Sequence, residues 1–274
     1  MVDIHNHVLF GVDDGAKSIE ESLAMLKSAK SQGIDTVFAT PHFYSFNTDI
    51  ESYKSKVENN FNILKNSAVG DEFPEVFLGY EVHYFNDIYK SSLVKSLSLN
   101  NSEYLLLELD HREITDKVIS DIEELRWQLG LKPIIAHIER YSKYKGYSKL
   151  LSVLDHENYF SQITADSLFM NPYKKPSLNL IKNNMVDFIA SDAHNSTSRA
   201  FCLRKSYEFI LNKFGSKIVE NIFSNSQNIF SRWLFERQIH SWYFHCQKNF
   251  CYNTNNFFRF ISVRFSVFNC YANI

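Results

Sequence analysis

Residues 3–15 read DIHNHVLFGVDDG, with two histidines one residue apart followed by two adjacent aspartates. The alternation Asp3-Ile4-His5-Asn6-His7 is that of a strand, so His5 and His7 point to one side of it. Two adjacent imidazoles are a poor filling for a core and a good pair of metal ligands, although such pairs also occur at ordinary polar strand ends. Asp13 and Asp14 follow in the loop before the next helix. One of them would complete a site with the histidines, and the other would cap the helix.

Working outward, short apolar runs recur at Val2–His7, Thr36–Ala39, Val76–Tyr80, Tyr104–Leu109, Pro133–His137, Tyr159–Ile163 and Val186–Ser191. Amphipathic segments separate several of them: Ser18–Gly33, with Ser18 and Glu21 placed as a capping box, then Ile114–Leu129, Pro172–Asn183 and Arg199–Phe214. Continuous apolar strands alternating with helices indicate a buried parallel sheet. Seven such units, with no glycine-rich dinucleotide fingerprint after any strand, favour an α/β fold closed as a distorted (β/α)7 barrel over an open doubly wound sheet.

The chain has 274 residues, with 29 Lys and Arg against 31 Asp and Glu, so its charge favours neither nucleic acid nor an anionic membrane surface. No basic, then apolar, leader opens it, and no run of about 18 apolar residues could span a bilayer. Of four cysteines only Cys202 lies before residue 237, which suits a reducing cytoplasm and excludes a disulfide framework. Residues 237–274 differ: eleven aromatics, three cysteines, four Lys or Arg and no acid, with no sustained period. A domain spanning residues 1–236 followed by an atypical tail outside it is the expected organisation. A membrane-interfacial role for that tail lacks the amphipathic helical pattern it would need.

The C-terminal ends of the strands carry one residue class. The first ends in His5 and His7, the second in His42 of ATPH, the third in Glu81 of GYE, the fourth in Glu108, the fifth in His137, and the seventh in Asp192 and His194 of SDAH. In a β/α barrel these ends converge on one mouth. With one of the two loop aspartates the count is five histidines and four carboxylates, enough for two or three divalent ions. Without cysteine, the donors point to Mn, Fe or Zn, with Mg as a further option, and away from a thiolate zinc site. Four carboxylates, three divalent ions and a hydroxide leave a slightly positive centre, suited to a phosphate ester. Arg140 and Arg199 begin loops at the same mouth, where a guanidinium fork matches phosphate oxygens.

The segments DIHNHVLFGVDDG, ATPH, GYE, AHIER and SDAH, in this order, resemble the polymerase-and-histidinol-phosphatase (PHP) superfamily. More narrowly, they resemble its bacterial manganese-dependent tyrosine phosphatases of capsule and exopolysaccharide synthesis. The resemblance runs from Met1 to about Phe235. It implies a distorted barrel holding three metals on His5, His7, Asp14, His42, Glu81, Glu108, His137, Asp192 and His194, with Arg140 and Arg199 binding phosphate. It also implies a substrate: the tyrosine-phosphorylated tail of a membrane-associated bacterial kinase. Thr164 stands where that family usually has an asparagine near the end of strand six.

Three functions compete. The first is phosphotyrosine hydrolysis by a metal-activated hydroxide, the second a small-molecule phosphoesterase of the histidinol-phosphatase type, and the third a catalytically silent metal-binding domain. The intact ligand set disfavours the third, and no cysteine has an arginine six residues later, as a thiol phosphatase needs. His83 is expected in a loop off the metal, His111 near the mouth, His156 at a solvated helix end, and His240 and His245 in the tail.

Overall fold

The structure is a computed structural model describing residues 1–45 and 49–229. Residues 237–274, read above as a separate segment, lie outside the described residues. Among the described residues nine strands and six named helices follow in the order β1 (Val2–Asn6), α1 (Ile19–Ser31), β2 (Thr36–Ala39), β3 (His42–Phe43), α2 (Ile50–Ser67), β4 (Glu75–Leu78), β5 (Glu81–His83), β6 (Tyr104–Glu108), α3 (Asp116–Leu129), β7 (Lys132–Ile135), α4 (Tyr147–Val153), β8 (Phe160–Thr164), α5 (Lys174–Lys182), β9 (Phe188–Ala190) and α6 (Leu203–Phe214). A further helix occupies 216–229. No helix of the described residues is long and apolar enough to cross a membrane.

Every strand pairing among them is parallel, in two sheets ordered β1-β2-β4 and β3-β5-β6-β7-β8-β9. The expected second strand is found as β2 with the same bounds, whereas the expected third, Val76–Tyr80, ends at Leu78 in β4, and each is followed by a second short strand, β3 and β5. Pro41 has no N–H to donate, and the ladder of β2 stops at Ala39 before β3 resumes it. The segments beside the break stay in register, since Gly79 N–H donates to the Ala39 carbonyl (2.9 Å) and Glu81 N–H to that of Pro41 (3.1 Å). At the far edge Asp192 N–H donates to the His5 carbonyl and His7 N–H to that of Ala193, each at 2.8 Å. The result is an α/β fold around a curled parallel sheet whose last strand returns to its first.

Buried polar groups lock this return. Asp3 accepts from Ser191 N–H (2.9 Å) and from the Ser191 hydroxyl, and it also binds Asn6, whose amide donates to the Phe38 carbonyl (3.0 Å). Because strand side chains alternate, the faces carrying Glu108 and Gln162 also carry Tyr104 and Phe160, whose rings lie 5.7 Å apart. Phe188 stacks on Phe160 at 5.7 Å, so packed aromatic rings lie on the polar groups' face of these strands. The opposite faces, with Val37, Leu105, Ile135, Ile163 and Ile189, join Leu26 of α1, Ile122 of α3, Leu180 of α5 and Ile210 of α6 in the core.

Helix α1 starts as its sequence requires: Ser18 caps it by accepting from Glu21 N–H, while Glu21 reaches back to Lys17 N–H (2.8 Å). The cap is therefore Ser18, and neither Asp13 nor Asp14 performs that task. Helix α2 has no counterpart among the expected segments, because it buries only Val57 and Leu64 and so shows almost no apolar stripe. It nevertheless serves the mouth, since the Tyr53 hydroxyl donates to the His42 carbonyl.

Candidate metal centre

Of the nine expected ligands, His5, His7, Glu108, His137, Asp192 and His194 lie at or just beyond the C-terminal ends of strands, His42 and Glu81 open β3 and β5 shortly after the ends of β2 and β4, and Asp14 hangs over them from the loop after β1. Eight of the nine, all but Asp192, fall together with His111 into four overlapping groups: His7, Asp14, His42 and His194; His5, His7 and Glu81; Glu108, His111 and His137; and His42, Glu81 and Glu108. Glu81 is common ground. Its Oε2 lies 3.1 Å from His5 Nε2, 3.3 Å from His7 Nε2 and 3.0 Å from His42 Nδ1, and its Oε1 lies 2.9 Å from His137 Nε2. Asp192 Oδ1 stands 3.5 and 3.4 Å from His5 and His7 Nε2. Asp14 Oδ1 faces His194 Nε2 (3.4 Å) and His42 Nε2 (3.5 Å) from the solvent edge, its side chain 61% exposed.

The donor set fits divalent cations. His5 Nε2, His7 Nε2, His42 Nδ1 and Glu81 Oε2 are buried and make no hydrogen bond. Buried polar atoms are normally paired, so three orphan nitrogens that each face one orphan carboxylate oxygen require an explanation. Ligands about 2.1 Å from a common ion lie about 3.0–3.4 Å from one another in octahedral or tetrahedral geometry, which matches the separations around Glu81.

The histidine tautomers agree. His5 Nδ1–H donates to Gln162 Oε1 (3.1 Å), His7 Nδ1–H to Asp13 Oδ2 (2.8 Å) and His194 Nδ1–H to the Asp192 carbonyl (2.8 Å). Each bond leaves a bare Nε2 lone pair facing the centre. Asp13 is thus a support rather than a cap, and it also accepts from Gly15 and His42 N–H. Gly15 is needed there, because a Cβ would stand 2.1 Å from the His7 carbonyl oxygen. His137 and Asp192 adopt left-handed backbone conformations (φ 34° and 52°) that ordinary residues rarely occupy.

Without a cation, protons balance the carboxylates. Burial opposes an imidazolium at His7, but the hydrogen bond to Asp13 and the nearby carboxylates of Asp192 and Glu81 override it and raise the group well above its usual value. Burial and the charge of Arg140 oppose His137 likewise, yet Glu108 and Glu81 raise it to about 9. Burial disfavours the Glu81 carboxylate, but the charges of His5 and His42 hold it well below its usual range. Glu108, against the same burial, is drawn to about 2 by His137 and His83.

Both arginines meet one carboxylate oxygen. Arg140 and Arg199 each donate to Asp192 Oδ2, the latter at 3.0 Å, while Asp192 Oδ1 faces the imidazoles. Arg140 also reaches Thr164 Oγ1 (3.4 Å), and Arg199 remains 39% exposed. His83, expected in a loop, lies in β5 and contacts Glu108 (3.2 Å) and Asp110 (3.0 Å). His111 is near the mouth as expected, 3.9 Å from Glu108. His156 instead pairs with the buried Asp187 (2.6 Å). Sequence reading missed Gln162 because an amide is not a ligand type; its place on the inward face of strand six was the available signal.

The family described as capsular polysaccharide synthesis, CpsB/CapC, matches residues 1–231. The chain is 37% identical to the CapC protein of Staphylococcus aureus over 216 residues, covering 76% of this chain and 82% of that one. It is 33% identical to tyrosine-protein phosphatase YwqE of Bacillus subtilis, over 83% of this chain and 90% of that one. Among solved structures it resembles that of YwqE from Bacillus subtilis and CpsB from Streptococcus pneumoniae, described as metal-dependent tyrosine phosphatases. The TM-score is 0.70 at 29% identity, with 84% and 94% of the two chains covered. The fold, the mouth and these likenesses agree, and the chain belongs to the CpsB/CapC family of capsular polysaccharide synthesis proteins.

Proposed function

We propose that this chain is a metal-dependent protein-tyrosine phosphatase acting in capsule or exopolysaccharide synthesis. The observation that carries the reading is the convergence of four orphaned donor atoms, on His5, His7, His42 and Glu81, beside Arg140 and Arg199. The names of the relatives support the substrate class. The metal ligands in this reading are His5, His7, Asp14, His42, Glu81, Glu108, His137, Asp192 and His194, holding two to three ions, with Mn preferred. The curled sheet is read as a seven-unit barrel in which β2 with β3, and β4 with β5, each make one unit. The catalytic domain is read as residues 1–236.

Divalent cations bound there supply Lewis-acid activation of water and neutralisation of phosphate charge. The chain's own groups do the rest. Arg199, at the solvent edge, and Arg140, deeper, offer guanidinium N–H groups to the non-bridging phosphate oxygens. Asp192 Oδ2 holds both guanidinium groups at the mouth until phosphate competes for them. Asp13, Gln162 and the Asp192 carbonyl keep three imidazoles turned with Nε2 inward.

The reading extends to a cytoplasmic site of action and to the tyrosine-phosphorylated tail of a membrane-associated kinase as substrate. The free Cys202 is compatible with the first. Turnover of a phosphotyrosine peptide and of histidinol phosphate, before and after chelation, tests the proposal. Metal-dependent turnover of the peptide is expected. Preference for histidinol phosphate would identify a small-molecule phosphoesterase, and turnover of neither would identify a silent domain.

A further inference from the structure

The last strand before β9 supplies no ligand, yet its side chain Gln162 touches two of them. β7 and β8 pair Ile134 with Phe160 and Ile135 with Ser161, and there the backbone ladder ends. One residue on, the Gln162 amide takes its place. Its Oε1 accepts the backbone N–H of His137 at 2.9 Å and lies 3.1 Å from His5 Nδ1. A backbone N–H can only donate, so the oxygen of the amide, not its nitrogen, must face this corner. The same oxygen can then only accept from His5, which places the His5 proton on Nδ1.

We infer that Gln162 is a positioning residue for the metal centre, whose single carbonyl oxygen sets the tautomer of His5 and anchors the strand end at His137. With Nδ1–H engaged, the fully buried His5 presents Nε2 as a lone pair 3.1 Å from Glu81 Oε2. Without the acceptor, Nδ1–H would be buried and unpaired, and the ring would gain by carrying its proton on Nε2 instead, facing Glu81. That tautomer cannot ligate inward. The His137 backbone, left-handed at φ 34°, would lose its bond in the same substitution. The amide nitrogen of Gln162 makes no hydrogen bond, so nothing but the oxygen holds this polar side chain in a fully buried place.

This inference rests on the metal-centre reading but not on the phosphatase reading, and its test uses Zn2+ binding rather than turnover. Gln162→Met, similar in volume but without the acceptor, should weaken Zn2+ affinity roughly 10–100-fold in a chelator-competition titration of the full chain. Gln162→Glu, which keeps an acceptor oxygen, should remain near the wild-type affinity. Histidine 15N spectra give a readout that mere packing would not move: wild-type His5 should carry its proton on Nδ1, and Gln162→Met should lose that signal. This wild-type spectrum stands even where the Met variant does not fold. Equal Zn2+ affinity in Gln162→Met and wild type, an equal loss in both variants, or a wild-type His5 protonated on Nε2 would each overturn the inference. A wild-type chain that binds no Zn2+ overturns the metal centre and this inference together.

Discussion

Glu81 faces four imidazoles with two oxygens, and Asp192 divides its two oxygens between imidazoles and guanidinium groups. At this scale the centre is sensitive to single atoms. His42→Ala and Asp192→Ala should each remove most turnover and reduce bound metal while the fold persists, which activity, metal analysis and circular dichroism would check together. Wild-type turnover in either variant removes that residue from the centre. For Arg199→Ala, kcat/KM should fall by an amount corresponding to about 2–4 kcal/mol, as for other lost oxyanion donors. An unchanged value would reduce it to a surface group.

Protons and metal compete for the same lone pairs, with a definite sign. His137 titrates at about 9 in the metal-free fold, above the 6.5 of an ordinary histidine. Its proton therefore stabilises that fold fully below pH 6.5, and the contribution disappears as pH rises through about 9. His7, also raised, adds in the same direction. Chelated protein should melt at lower temperature at pH 9 than at pH 6.5, while apparent metal affinity rises over the same interval as the imidazoles deprotonate. Calorimetry showing no such opposition would mean that these histidines are not the groups that titrate.

Among elements, the loop after β1 is closely constrained. It turns back so closely that Gly15 touches the strand it left, with its N–H on Asp13 and Asp13 on His7 and His42. The obstacle to a side chain there is the His7 backbone and Cβ, which cannot rotate away. Gly15→Ala should therefore destabilise the protein by about 1–3 kcal/mol, as overpacking does, and lower metal affinity by moving Asp13 and Asp14. A titration at wild-type affinity would show that the loop shifts without disturbing either aspartate. Helix α2, although largely polar, also serves the site, because its Tyr53 hydroxyl donates to the His42 carbonyl.

For the whole molecule, Met1–Ile229 forms one compact unit that contains every proposed ligand and both arginines. Truncation after Glu236 should leave metal content and phosphopeptide turnover unchanged and improve solubility, because the removed segment carries eleven aromatics and no acid. Loss of metal or unfolding would assign that segment to the catalytic fold.

The class of fold and the residue types of the proposed ligands were legible in the residues alone, because both are written in local chemistry. Apolar runs with amphipathic segments between them have only a few ways to bury their faces, and histidines and carboxylates at strand ends have little other reason to recur. Ser18 and Glu21 announced the start of α1 for the same reason. The tertiary structure alone decided what depends on distant groups meeting. Gln162 acts on His5 across 157 positions, and Asp3 joins Ser191 across 188, separations no periodicity encodes. It also separated Asp13 from Asp14, since which of two adjacent carboxylates faces His7 Nδ1 and which overhangs His194 depends on how the loop folds back over Gly15. Ligand identity is a property of a side chain, whereas the direction of its lone pair is a property of its neighbours.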